Sequence, residues 1–125
     1  MQPTIDRIDE KRIIVATTTG TVTRKDAVAI AAHIAQHLQA SQFGKFLVDH
    51  RAARVQMGVV DLYYLLTETE AVGLGRQYVG AIVFARDTDH DFQFYEWRAM
   101  NEGFRRRMFT DIEMAIAWLD WMSVR

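Results

Sequence analysis

The chain of 125 residues is half hydrophobic and one quarter charged, with a net charge of −1, the make-up of one globular domain over 1–125, large enough to bury a core without metal or disulfide staples. So even a balance supplies no overall basic field to collect nucleic acid, and the absence of cysteine excludes thiolate nucleophiles, cysteine–zinc sites and disulfides while being compatible with the cytoplasm. The N-terminal MQPTIDRIDEKR lacks the apolar core of a signal peptide, and no apolar run approaches the roughly 20 residues that span a bilayer.

The opening segment, TIDRIDEKRIIVATTTG, reads as two strands around a polar turn. Ile5 and Ile8 mark the first, Asp9-Glu10-Lys11 the turn, and Arg12 to Thr19 the second, rich in the β-branched residues that suit a pleated surface. Thr23 with Asp26 three residues on resembles a capping box. Ile30, Ile34 and Leu38 then recur every fourth residue beside Ala27 and Ala31, which predicts a helix over about 24–40. KFLVDH, residues 45–50, is a short apolar run with a polar end, as in a strand covered on both faces. A second helix follows, with Asp61 near its start and Leu62, Tyr63 and Leu66 on one stripe, until Gly73 and Gly75 break it. Tyr78 to Ala85 is the next buried strand, and Asp91 to Glu102 a third helix stopped by Gly103. RRRMFT is a short last strand. Thr110 and Glu113 suggest a capping box for a final helix whose core stripe is Ile112, Ala115, Ile116 and Leu119.

The order β-β-α-β-α-β-α-β-α predicts an α/β fold: a mixed, mostly parallel sheet with an antiparallel N-terminal hairpin and helices packed on it. Arg105 and Arg107 would discourage further sheet pairing if the last strand is an edge.

Three stretches carry a resemblance to a known group. FLVDHRA looks like its strand ending in an Asp, VVDLYYLL is similar to the next helix, and NEGFRRRMFTDIEMAIAWL resembles its closing segment. Together they resemble the SpoIIAA-like fold of STAS domains and small bacterial STAS/SEC14-type proteins. The resemblance implies a SpoIIAA-like sheet and, as a STAS-like domain, an interaction or ligand-binding module. Phospho-regulated members place a Ser or Thr at the start of the helix after the Asp-ended strand. Here no Ser or Thr lies between Arg51 and Leu66, so the phosphate-accepting hydroxyl is missing.

Several constellations bear on function. In open α/β sheets ligands bind beyond the carboxyl ends of the strands. Asp49, His50, Arg51 and Arg54 after one inner strand, with Arg86 and Asp87 after the next, are therefore candidates to hold a small anion, near Thr110 and Asp111 and a helix start near residue 58. The plainer account is that Asp49 caps backbone N–H groups and pairs with an arginine. Adjacent residues on a strand point to opposite faces, so Asp49 and His50 do not readily form a catalytic dyad. His33 and His37 have metal-gripping spacing but no third ligand, and read as a surface pair. DTDHDFQFYEWR has Phe92 and Arg98 where a calcium loop needs Gly and Glu. GLGRQY lacks the third glycine and the strand-to-helix context of a dinucleotide loop. No metal or cofactor is expected. Arg105-Arg106-Arg107 reads as a solvated strand edge.

The aromatic residues stand out. Phe92, Tyr95 and Ala99 share one face of the third helix, with Phe94 and Trp97 nearly opposite. Met114, Trp118 and Trp121 lie away from the core stripe of the last helix. Helices apolar on two sides need two buried surfaces, supplied by mutual packing, an apolar ligand or a partner subunit. The expectation is a non-catalytic interaction or ligand-binding module, homodimeric through Phe94, Trp97, Met114, Trp118 and Trp121. Two alternatives stand beside it: a SEC14-like carrier with an apolar cavity lined by Tyr63, Tyr64, Phe92 and Trp97, and a small enzyme using Asp49, His50 and Arg51.

Overall fold

The computed structural model describes residues 3–87 and 92–123. Five strands form one sheet whose spatial order equals chain order. β1 (Thr4–Ile8) pairs antiparallel with β2 (Ile13–Val22), and β3 (Lys45–Val55), β4 (Val79–Val83) and β5 (Arg105–Phe109) follow in parallel. α1 (Arg24–Ser41), α2 (Val59–Ala71) and α3 (Phe92–Asn101) connect the parallel strands, and α4 (Ile112–Trp121) ends the described chain. The α/β order, the antiparallel hairpin and the side-by-side parallel inner strands all match the sequence-based expectation. The hairpin turn is a single 3-10 turn over Asp9–Lys11. The expected start of α3 at Asp91, and Asp89 of the calcium-like stretch, lie outside the described residues; Asp87 is exposed.

Alternation along the strands divides the core in two. Ile14, Ala16, Phe46, Val48 and Ile82 face α1, α2 and α3, while Ile13, Leu47, Val79, Ala81 and Val83 face α4. Crossovers of one hand between adjacent parallel strands put their helices on one side. α4 leads to no further strand of this sheet, so it can fold back over the other side. α3 and α4 consequently belong to opposite faces, and mutual packing does not cover their outer aromatic rows.

Local chemistry accounts for the helix ends. Thr23 and Asp26 form the expected box, with the Thr23 backbone N donating to Asp26 Oδ2 at 3.0 Å. At α4 the cap is Asp111, not Thr110: its Oδ1 accepts from the backbone N of Glu113 (2.9 Å) and Met114 (3.1 Å). Both residue types cap well. β5 ends at Phe109, which puts Asp111 at the position with extended backbone just before the helix.

The arginine run also departs from expectation. Arg105 and Arg107 flank an edge strand, but Arg106 is only 3% exposed. Its guanidinium donates to the carbonyls of Leu74 (3.2 Å), Gly75 (2.9 Å) and Tyr78, tying the α2–β4 loop to β5. It also lies over the rings of Phe46 and Phe104. Phe46 in turn rests on Gly80, where an added Cβ would come within 2.1 Å of the ring. Glycine is needed there for close approach, not for backbone freedom.

Candidate functional site

The Asp49-His50-Arg51 cluster sits at a β-bulge. Thr17 pairs with Asp49 and Thr19 with Ala52, so Thr18 of β2 opposes both His50 and Arg51. Bulges re-aim side chains at the ends of regular pairing. β4 pairs with β3 only as far as Asp49, whereas β2 and β3 continue as a two-stranded arm to Val22 and Val55. The strand therefore runs five residues beyond the expected end at His50.

The cluster divides between the faces. Asp49 is on the α4 side, where Arg51 Nε and Nη2 grip its two oxygens at 3.0 and 2.9 Å and the Arg51 backbone N donates at 3.0 Å. Burial pushes the Asp49 carboxyl up, but the Arg51 side-chain and backbone hydrogen bonds outweigh it and hold the group below the usual carboxylate range.

His50 turns to the three-helix side and is 6% exposed. Its Nδ1 is 2.7 Å from Thr18 Oγ1, and that hydroxyl donates to the Asp49 carbonyl at 3.2 Å. A threonine hydroxyl has one proton. Assigned to the carbonyl, that proton leaves His50 as the donor of the other bond, which makes the ring the Nδ1–H tautomer with Nε2 an acceptor. Burial drives its pKa down to about 4 against the opposing pull of Asp49, so the ring is neutral at pH 7.

His50 forms part of the wall of a cavity between the sheet and α1–α3. Its other walls include Ala27, Ala31, Leu62, Phe84, Phe92 and Tyr95, and about 60 Å³ is free to the centres of water-sized groups. The rings of His50, Phe84 and Phe92 follow one another at 5.5 and 4.3 Å. Of the expected cavity residues only Phe92 lines it. Tyr63, Tyr64 and Trp97 are exposed, with Tyr63 under Arg98 and Tyr64 under Arg24. The space falls well short of the roughly 300–1,000 Å³ of drug-sized sites, so a whole lipid does not fit.

At the carboxyl ends of β3–β5 a separate polar cleft of about 370 Å³ is lined by Arg51, Arg86, Thr110, Asp111 and Glu113. Asp49 reaches it only through Arg51, and His50 is not part of it. Arg54 and Asp87 are exposed and do not line it. The Arg51 charge is matched by Asp49, and the Asp111 carboxylate caps α4. Arg86 has no ion pair among the described residues, and neither has Glu113 in the same cleft, so the lining charges balance.

Around edge strand β5 the expected aromatic set divides by burial. Trp97, Met114 and Trp121 are 65%, 63% and 80% exposed, as is Met100 at 68%. Phe94 and Trp118 are half-buried, against Trp97 and Phe109 respectively. A groove along the edge runs between Met100 on α3 and Trp118 of α4 with Met122 just after it. Within it Glu96 accepts from the Met108 backbone N at 2.6 Å, covering one edge donor. Among the described residues no three His, Asp or Glu side chains gather as a metal site; His33 is half-buried and His37 exposed. No helix among them is long and apolar enough to cross a membrane.

Sequence reasoning missed Thr18 behind His50, Phe84 and Tyr95 at the cavity, and Arg106 on the buried side of β5. Phe84 and Tyr95 did show as strand-end and helix-stripe aromatics. Thr18 carried no local signal, because its partnership with His50 depends on the bulge.

No family model matches the chain, and no curated protein matches it. Its structure is similar to that of the anti-sigma factor antagonist SpoIIAA in its unphosphorylated form, with a TM-score of 0.52, 14% identity, and 97% of this chain and 100% of that one covered. The phosphorylated form of the Bacillus cell fate determinant SpoIIAA gives a TM-score of 0.51 at 12% identity, over 94% of this chain and 99% of that one. An uncharacterized protein of the DUF3478 family from Shewanella loihica, with a SpoIIAA-like fold, gives 0.50 at 16%, over 94% and 92%. The mixed five-stranded sheet and its four helices thus have the SpoIIAA-like fold.

Proposed function

We propose that the chain is a non-catalytic, STAS-like interaction module that works as a homodimer joined along the β5 side. One observation carries this reading: Trp97 and Met100 of α3 and Met114 and Trp121 of α4 are each more than 60% exposed, and these two helices flank the sheet edge from opposite faces. Trp and Met are the residue types that interface cores favour, and covering them removes apolar area from water at about 25 cal/mol per Å². Glu96 with Arg105 and Arg107 of β5 would form a polar rim around that apolar surface.

The similar protein SpoIIAA is described as an anti-sigma factor antagonist, a protein that acts through another protein, and this supports a binding role. The phosphorylated state recorded for it is not carried over, since no Ser or Thr lies between Arg51 and Leu66. The division of Asp49 and His50 between two faces argues against the enzyme reading.

Sedimentation of the purified chain at micromolar concentration tests the proposal. It should sediment as a dimer, and Trp97→Lys and Trp121→Lys should each give a folded monomer. A wild-type chain that stays monomeric throughout that range overturns it.

A further inference from the structure

The cavity beneath α1–α3 contains one polar group that the interaction reading does not use. We propose that it is a binding site for a small, largely apolar molecule carrying a single hydroxyl or N–H donor, of about the size of phenol, and that the donor is received by His50 Nε2. The argument starts from hydrogen-bond satisfaction. The Thr18 hydroxyl gives its only proton to the Asp49 carbonyl and takes that of His50 Nδ1. Nε2 is left with a lone pair and no partner among the described residues. Nε2 is not one of the fully enclosed orphan atoms among the described residues, so it keeps some open surface, and an acceptor in a largely apolar wall favours a donor from a water or a ligand.

Water is poorly suited to fill the site alone. A buried water makes about three hydrogen bonds, and apart from His50, Thr69 and Tyr95, whose hydroxyl pairs with Arg106, the walls are apolar. The Thr69 hydroxyl, also in the wall, gives its proton to the Leu66 carbonyl. The void of about 60 Å³ exceeds several-fold the ~10–15 Å³ that one water requires. A flat ring with one donor would match both the aromatic walls and the lone acceptor.

The choice between phenol and toluene is diagnostic. A wholly apolar void favours toluene, because an unpaired hydroxyl buried in it is penalised. An aligned acceptor reverses that order. The experiment is an NMR titration of the full chain with phenol and with toluene, observing the side-chain nitrogens of His50. Phenol should bind about tenfold more tightly than toluene, the ratio given by one good hydrogen bond, and should shift the Nε2 resonance while leaving Nδ1 protonated. His50→Leu should restore the preference for toluene, and Ala31→Leu should abolish binding of both by filling the void. The wild-type spectra decide the matter if a variant fails to fold. Toluene binding as tightly as phenol, saturation with phenol that leaves the Nε2 resonance unmoved, or binding of neither at millimolar concentration would overturn the proposal. None of these outcomes depends on whether the chain dimerises.

Discussion

The two faces of the sheet are finished differently. One lies under three helices, is deep, and encloses a cavity, a neutral histidine and a buried arginine held by backbone carbonyls. The other lies under α4 alone; its charged groups, Asp49 and Arg51, are paired near a polar cleft, and its helix leaves Met114 and Trp121 in solvent. Three connecting helices bury the strand groups beneath them, yet α3 leaves Trp97 and Met100 in solvent as α4 leaves Met114 and Trp121. The difference teaches that His50 and Arg106 are sequestered in the thick layer, and that surface available for association lies at the edge where α3 and α4 flank β5.

Neighbouring arginines should break the comparison most sharply. Arg106→Met removes the donors to three carbonyls inside the thick layer, each worth about 1–3 kcal/mol when left unpaired, so urea unfolding should show a loss of about 3 kcal/mol or more. Arg107→Met, on the other face and exposed, should change stability by less than about 0.5 kcal/mol.

Acid should separate the faces next. The folded pKa of His50, about 4, lies below the ordinary value of about 6.5 for the unfolded chain. Above pH ~6.5 neither state takes the proton. As pH falls from there towards about 4, only the unfolded state does, so stability drops by roughly 3 kcal/mol in all and then levels off. Asp49 is depressed below the usual carboxylate range; its stabilisation is present above pH ~3.8 and is lost only as pH falls through its folded pKa. Equilibrium unfolding against pH should therefore show two successive losses, with the earlier one absent from His50→Leu.

Smaller effects follow. Gly80→Ala drives a methyl into Phe46 and should cost about 1–3 kcal/mol by overpacking, read from the denaturation midpoint. Asp111→Ala should cost about 1 kcal/mol through loss of the α4 cap, whereas Thr110→Ala should cost a fraction of that.

What could be read in advance was local. The four-residue spacing of Ile30, Ile34 and Leu38, the Thr23–Asp26 box and the alternation of strands with helices are fixed within a turn or two of chain, and they led to the right fold. The Asp49–Arg51 pairing was legible too, because residues two apart on a strand share a face. Partnerships across the fold were not legible. Thr18 meets His50 only because β3 has a bulge opposite it, and Arg106 looks like its two neighbours until the β5 register turns it inward. The cavity is the space left among three separate helices, which no segment encodes alone. Even the cap at Asp111 depended on where β5 ended, since Thr110 and Asp111 are both residue types that serve as caps.

The most direct measurement of the central claim uses the three tryptophans, Trp97, Trp118 and Trp121, all on the helices that flank β5. If that surface joins two copies of the chain, tryptophan emission should move to longer wavelength on dilution from micromolar to nanomolar protein, with a midpoint at the dissociation constant found by sedimentation. An emission spectrum that does not change with concentration, in a chain that sediments as a dimer, would contradict the assignment of the interface to this surface.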